Sequence, residues 1–263
     1  MISFDFDDIA VWGPRLSQHL SAIVPDDAAA IISSGKPEFV EDAADLLYSA
    51  VPSKDELIEA ASDWVRSQIV AAYHGSRLSE AERASIRKNG LRILAASDRE
   101  VILSRKLSSH PRWKEAEPRL RQVIESLSKR GKAGEREGQT HATLSRSGLI
   151  TGFPHYLTHG SEFDQHAANM LLGDECMELL ANYGNASLVT LAVPGEKALQ
   201  AAHPFGSVAR GEIPNIVRDA IQAWSYWLAD PSFSPAELEV DCGLMFFEDL
   251  PADWIRSIEI VNR

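Results

Sequence analysis

The chain has 263 residues, 44% of them hydrophobic and 24% charged, which allows a sizeable core and is ordinary for a globular protein. A formal net charge of -12 sets up a potential that repels phosphate backbones and argues against general nucleic-acid binding. No apolar run approaches the ~20 residues of a bilayer span, and the acidic start Phe4-Asp5-Phe6-Asp7-Asp8 is unlike a signal or transit peptide, so a cytoplasmic protein without a membrane partner is expected.

Residues 1–52 read as short helices, Pro14 to Val24, Asp26 to Ser33 and Pro37 to Ala50, with Leu16, Leu20, Ile23 and Val24 at helical spacing and no recognisable chemistry. Ser53 followed by Glu56 has the spacing of a capping box and opens a helix to about Arg66. An apolar run, Ile69-Val70-Ala71-Ala72, then ends in Tyr73-His74-Gly75-Ser76-Arg77-Leu78. This predicts a strand that carries a polar triplet to a rim. Ser79 and Glu82 box the start of the next helix, and Asn89-Gly90 closes it, because glycine takes a left-handed backbone without steric cost. A histidine beside a glycine at a strand end, where a ligand can approach bare backbone, has the layout of a binding site. The alternative is a strand, a turn and a surface helix, with His74 merely hydrogen-bonded in the rim.

Ser97 and Glu100 predict a cap for a helix to about Leu107, and Pro111 a long amphipathic helix to about Leu127 with Trp113, Leu120, Val123, Ile124 and Leu127 on one face. The basic, glycine-containing stretch Ser128 to Arg136 reads as a solvated loop, and Gly138 to Leu149 as a polar loop that either meets a ligand or only connects. Pro154 to Gly160 reads as a short alternating strand, after which Ser161 caps a helix to about Leu172. His155, His159 and His166 fall close together, but no carboxylate or cysteine completes a ligand spacing, so no metal is expected. The two cysteines, Cys176 and Cys242, match neither a metal site nor a disulfide framework and read as small buried hydrophobes. Ser187 to Val193 is a β-branched strand, Pro214 to Leu228 a helix with core tryptophans, and Leu238 to Phe247 and Trp254 to Val261 two closing strands.

The pattern of an apolar run, Tyr73-His74-Gly75-Ser76-Arg77, a helix and Asn89-Gly90-Leu91 resembles the first strand of the ADP-ribosyltransferase superfamily. The match is to the poly(ADP-ribose) polymerase-like branch, which has His-Gly-Ser/Thr where the arginine-type toxins have arginine. Tyr156 to Ser161 looks like the second site strand of that superfamily, which ends in a hydroxyl residue that begins a helix. The closing segment from Leu250 to Ile255 sets Asp241 where the family carries its catalytic glutamate, a departure that marks this chain as divergent.

The resemblance implies an α+β fold: an ADP-ribosyltransferase-like split antiparallel sheet with helical insertions, preceded by an N-terminal helical extension. The extension is expected over residues 1–52 and the domain over 53–263, with a helical insertion about 97–150. It implies NAD as substrate, with His74 and Asp241 catalytic. Glu239, two residues upstream on the same strand face, is the alternative carboxylate, and Glu248 ranks after both. His74, Gly75, Ser76, Arg77, Tyr156 and Ser161 would bind NAD, and Tyr73 would face the other side of its strand. Cleaving the nicotinamide–ribose bond develops positive charge on the sugar, which is why the site wants a carboxylate. The implied activity is mono-ADP-ribosyl transfer to a macromolecule, protein before nucleic acid, in a toxin, an effector or a phage-defence protein. An NAD glycohydrolase and a catalytically silent NAD or nucleotide binder fit the same residues. RNA 2'-phosphotransferase chemistry on this fold is disfavoured by the acidic balance.

Overall fold

The computed structural model describes residues 2–129, 137–202, 213–238 and 243–262. In chain order these form helices α1 (Ile9–Leu20), α2 (Ala28–Gly35), α3 (Val40–Ala50) and α4 (Lys54–Arg66), strand β1 (Ile69–Leu78), and helices α5 (Glu80–Asn89) and α6 (Ala96–Leu107). Then come α7 (Trp113–Ala116), α8 (Leu120–Lys129), β2 (Thr140–Thr143), α9 (His155–His159), α10 (Glu162–Leu172), α11 (Cys176–Asn182) and β3 (Asn185–Pro194). Helices α12 (Gly195–Ala201) and α13 (Asn215–Ala229) and strands β4 (Gly243–Phe246) and β5 (Ile255–Ile260) complete the described chain. The strands make one five-stranded antiparallel sheet in the order β4-β2-β1-β3-β5, and with helices as the larger share the class is α+β.

The chain divides into two compact units. The first comprises residues 1–72, 143–152 and 192–244. Its core centres on three aromatic rings: Phe4 meets Trp12 and Trp64 edge-on at 5.1 and 5.2 Å, and the two tryptophans lie 6.0 Å apart. Phe4 is placed there by a parallel bridge to Val70, with the Ala71 amide donating to the Phe4 carbonyl at 2.7 Å. Helix α1 starts at Ile9, five residues ahead of the predicted Pro14, because Ile9, Trp12, Leu16 and Leu20 make a continuous buried stripe. Pro14 is tolerated inside it. Helix α13 packs against α1 to α4, and the Trp224 indole donates to the Ser17 hydroxyl at 3.0 Å, so both its tryptophans are structural, Trp227 lying against Gly13 of α1.

The second unit comprises residues 73–142, 153–191 and 245–263. Leu103 and Leu107 of α6, Val123 and Ile124 of α8, Phe163 and Leu171 of α10 and Cys176 of α11 share one buried cluster. Burial raises the Cys176 thiol above its ordinary pKa, which suits an inert core cysteine. Strand β5 pairs antiparallel with β3, Ser187 opposite Ile260 and Leu191 opposite Ile255, with a bulge between Thr190 and Leu191.

Several local expectations give way here. The predicted Ser97 cap is not made, since α6 starts at Ala96 with Ala95 in the cap position and no side-chain cap bond. The long helix after Pro111 is broken into α7, a tight 3-10 turn at Glu117–Arg119 and α8, because Pro118 has no amide hydrogen to continue the ladder. The supposed polar loop at 138–149 contains β2, a sheet strand between β4 and β1, so the stretch read as a helical insertion includes a strand. Pro154 to Gly160 is a helical turn, not a strand: α9 follows Pro154 and is closed by Gly160 at φ 83°. Of the strand expected from Leu238 to Phe247 the described part is Gly243–Phe246, preceded by a 3-10 turn at Pro235–Glu237.

Leu91 bridges Leu250 through reciprocal amide–carbonyl bonds of 2.9 and 2.8 Å. The approach requires Gly90, which sits at φ 86° and where a Cβ would lie 1.9 Å from the Leu250 carbonyl oxygen. Gly90→Ala is therefore expected to cost about 2 kcal/mol or more, read as a lowered midpoint in chemical denaturation. An unchanged midpoint would show that the segment can shift away without loss.

Candidate functional site

A pocket of about 280 Å³ opens within the second unit. One wall is the polar end of β1, where His74, Ser76 and Leu78 share a strand face and Gly75 contributes backbone. A second is the segment from Gly90 to Ala95 with Asp98, Arg99 and Ile102 of α6. Gln139, Thr140 and His141 close a third side, and Tyr156 with Ser161, Glu162 and Phe163 a fourth. The second wall is sewn in place by backbone bonds: the Leu94 amide donates to the Gln139 carbonyl at 2.9 Å, and the Gly138 amide to the Leu94 carbonyl at 2.8 Å. The Ile93 amide adds a bond to the Asp249 carboxylate at 2.8 Å.

His74 donates from Nδ1 to the His141 carbonyl oxygen at 2.7 Å. A carbonyl can only accept, so the neutral ring carries its proton on Nδ1 and offers Nε2 as an acceptor. Desolvation lowers the pKa of this ring although the bond to His141 works the other way, so it is neutral at pH 7. A neutral imidazole with a free acceptor nitrogen suits a sugar hydroxyl. Ser161 is the N-cap of α10 and accepts from the Asp164 amide at 3.2 Å, which leaves its own O–H able to donate. Tyr156 donates its phenol to Oε1 of Glu162 at 3.1 Å, and His155 Nε2 lies 3.3 Å from the same oxygen. The His155 and Tyr156 rings are 4.0 Å apart. Glu162 is thus a pocket carboxylate with Tyr156 and His155 among the groups that hold it. The other carboxylates that line the pocket are engaged locally: Glu82 accepts from the Ser79 amide at 2.7 Å, and Asp98 pairs with Arg92 at 3.1 Å.

Behind the pocket wall lies an ion triad. Asp164 has no exposed side-chain surface; Lys106 Nζ reaches its Oδ2 at 2.7 Å, and Arg99 Nη1 lies 3.1 and 3.3 Å from its two oxygens. Burial by itself would push the Asp164 carboxyl up, but the Lys106 and Arg99 charges hold it below the usual carboxylate range.

Of the residues expected to bind NAD, His74, Gly75, Ser76, Tyr156 and Ser161 line this one pocket, although they come from separate parts of the chain. Arg77 does not line it. The Arg77 guanidinium points to the other face of β1 and donates to the carbonyls of Tyr183 and Gly184, both at 2.8 Å, where it fixes the turn before β3. Tyr73 is buried on that opposite parity. Asp241 and Glu239 lie outside the described residues, as does most of the basic stretch at 130–136. Glu248 is described but is not among the pocket residues. Sequence reasoning missed Glu162, Arg99 and Asp164. Glu162 and Asp164 follow the Ser161 cap directly, and acidic residues in a first helical turn read as helix stabilisers, which hides any second role. Among the described residues no group of three His, Cys, Asp or Glu converges as a metal site, and no helix is long and apolar enough to cross a membrane. No family model, curated protein or solved structure matches this chain.

Two outcomes follow from the electrostatics. Asp164→Asn removes the charge that both cations need, and stability should fall by about 3 kcal/mol or more in denaturant titration, since it strands buried positive charge. A loss under about 1 kcal/mol would mean that water reaches the triad. His74 has a folded pKa below its ordinary 6.5, so the unfolded chain takes up that proton first as pH falls. Its contribution is complete above pH 6.5 and is lost as pH drops through the folded value. Melting temperature should therefore decline below about pH 6.5, and His74→Gln should flatten that decline; parallel curves for both proteins would contradict the enclosure of the ring.

Proposed function

We propose that the second unit binds NAD in this pocket and that the chain is a divergent ADP-ribosyltransferase, transferring ADP-ribose to a macromolecule, protein before nucleic acid. The observation that carries the reading is the convergence of the two sequence motifs. His74, Gly75 and Ser76 from the first, and Tyr156 and Ser161 from the second, line one pocket. The volume, about 280 Å³, is at the small end for ligand sites, so a dinucleotide would seat one end within it.

In this reading the bond between nicotinamide and ribose breaks, the electron pair leaves with neutral nicotinamide, and the acceptor nucleophile attacks the cationic sugar carbon and loses its proton. The chain's residues bind and orient. His74 accepts from a ribose hydroxyl through Nε2, the Gly75 backbone and the Ser161 hydroxyl hold the carboxamide, and the Tyr156 ring lies against the nicotinamide. A carboxylate must stabilise the sugar cation. Glu162 is the candidate that the geometry adds to Asp241 and Glu239, because it lines the pocket and is fixed by Tyr156 and His155.

The test is release of free nicotinamide from labelled NAD, with and without a host lysate, by wild type and by His74→Ala, Glu162→Gln, Asp241→Asn and Glu239→Gln. Wild type should release nicotinamide and label macromolecules. One carboxylate variant should lose about a hundredfold in rate while still binding NAD by calorimetry, equivalent to about 3 kcal/mol in the barrier. Nicotinamide without label would make the activity NAD hydrolysis. Wild type that binds no NAD and releases nothing would remove the proposal.

A further inference from the structure

We infer that Arg99 forms a phosphate-binding subsite of the pocket, preorganised by the buried carboxylate of Asp164 behind it. The triad holds one carboxylate against two cations, with side-chain exposures of 0% for Asp164, 5% for Lys106 and 19% for Arg99. One carboxylate against two cations leaves one positive charge uncompensated within the group, and burial makes an answering anion or water favourable. Lys106 is enclosed, bonded to Asp164 at 2.7 Å, with its ammonium 5.0 Å from the Tyr183 ring centre. The excess therefore falls to Arg99, the member of the triad that lines the pocket.

The guanidinium has donors to spare. Only Nη1 is engaged, with Asp164, and Nε is buried with no hydrogen-bond partner. Nε is enclosed and out of a ligand's reach, but Nη2 is neither bonded nor enclosed, and an unused donor of a charged group at a pocket wall suits a ligand acceptor. A planar fork held in one rotamer by a carboxylate behind it suits the tetrahedral oxygens of a phosphate, which accept in pairs. Arg92 lines the same wall and adds a second guanidinium, its charge offset by Asp98 at 3.1 Å. The nearby carboxylates Glu82, Asp98 and Glu162 already accept from Ser79, Arg92 and Tyr156, whereas Arg99 keeps unused donors. Because the chain as a whole carries -12, the attraction is local and is weakened by salt.

This subsite requires a phosphate group and not NAD in particular, so it stands or falls separately from the transferase reading. The experiment is calorimetric titration of inorganic pyrophosphate into the full chain at low ionic strength. Wild type should bind. Arg99→Ala should weaken binding about tenfold or more, and Arg99→Lys, which keeps the charge beside Asp164 but loses the fork, should still weaken it measurably. Arg105→Ala, an exposed arginine of the same helix, removes the same charge and should bind as wild type does. Circular dichroism checks that each variant is folded, and if Arg99→Ala is not, Arg99→Lys decides. No binding by wild type, unchanged binding in the Arg99 variants, or equal losses in Arg99→Ala and Arg105→Ala would overturn the subsite. Pyrophosphate binding without nicotinamide release would keep the subsite and discard the transferase.

Discussion

A carboxylate with no surface in water stays ionised only if cations accompany it into the interior, and Asp164 is such a carboxylate. Lys106 and Arg99 come from α6 and Asp164 from α10, so the ion triad fixes the distance between two helices that both supply pocket walls. The same contacts orient Arg99 in the pocket and anchor the first turn of α10, whose cap Ser161 also lines the pocket. Apolar packing alone could hold these helices together with some freedom to slide, and Leu103, Phe163 and Leu171 do pack there. The ion pairs add direction, since a one-residue slip would strand charge.

The pocket shows how one strand serves two ends. The first half of β1 is buried and apolar, Val70 to Ala72, which fixes it in the sheet. The second half alternates, so that His74, Ser76 and Leu78 face the pocket while Tyr73 and Arg77 serve the other face. Arg77 satisfies the carbonyls of Tyr183 and Gly184 and thereby positions the start of β3. Polar residues of one motif are divided by parity between the pocket and the opposite face of the strand, and spacing by itself does not say what each side holds.

The pocket also divides its polar groups by tautomer and pairing. His74 is held neutral with an acceptor nitrogen, Ser161 keeps a donor hydroxyl, and Glu162 is a carboxylate fixed by a phenol and an imidazole. Acceptor, donor and anion within one cavity give it three kinds of polar partner with which to orient a ligand. Desolvation, which lowers the His74 pKa, also strengthens its bond to the His141 carbonyl, because competing water is removed.

By itself the sequence determined those elements whose signals are local. Ser79 with Glu82, Ser53 with Glu56 and Ser161 with Asp164 mark helix starts because the capping bond spans three residues, and Gly90 marks an end because only glycine tolerates its backbone. Helix α13 was legible from helical periodicity, since it buries one apolar face, and strand β3 from its continuous apolar, β-branched run, since both of its faces are buried. Tertiary structure alone decided the rest. Strand β2, Thr-His-Ala-Thr, owes its conformation to flanking strands and not to an apolar alternation of its own. His155 to His159 alternates like a strand but is a helical turn, bracketed by Pro154 and Gly160, a pair of boundary signals that outweighs alternation over so few residues. The partnership of Asp164 with Lys106 and Arg99, the turn fixed by Arg77 and the pocket position of Glu162 depend on residues far apart in the chain. Burial, pairing and desolvation exist only between neighbours in space, and the packing of the helices makes those neighbours.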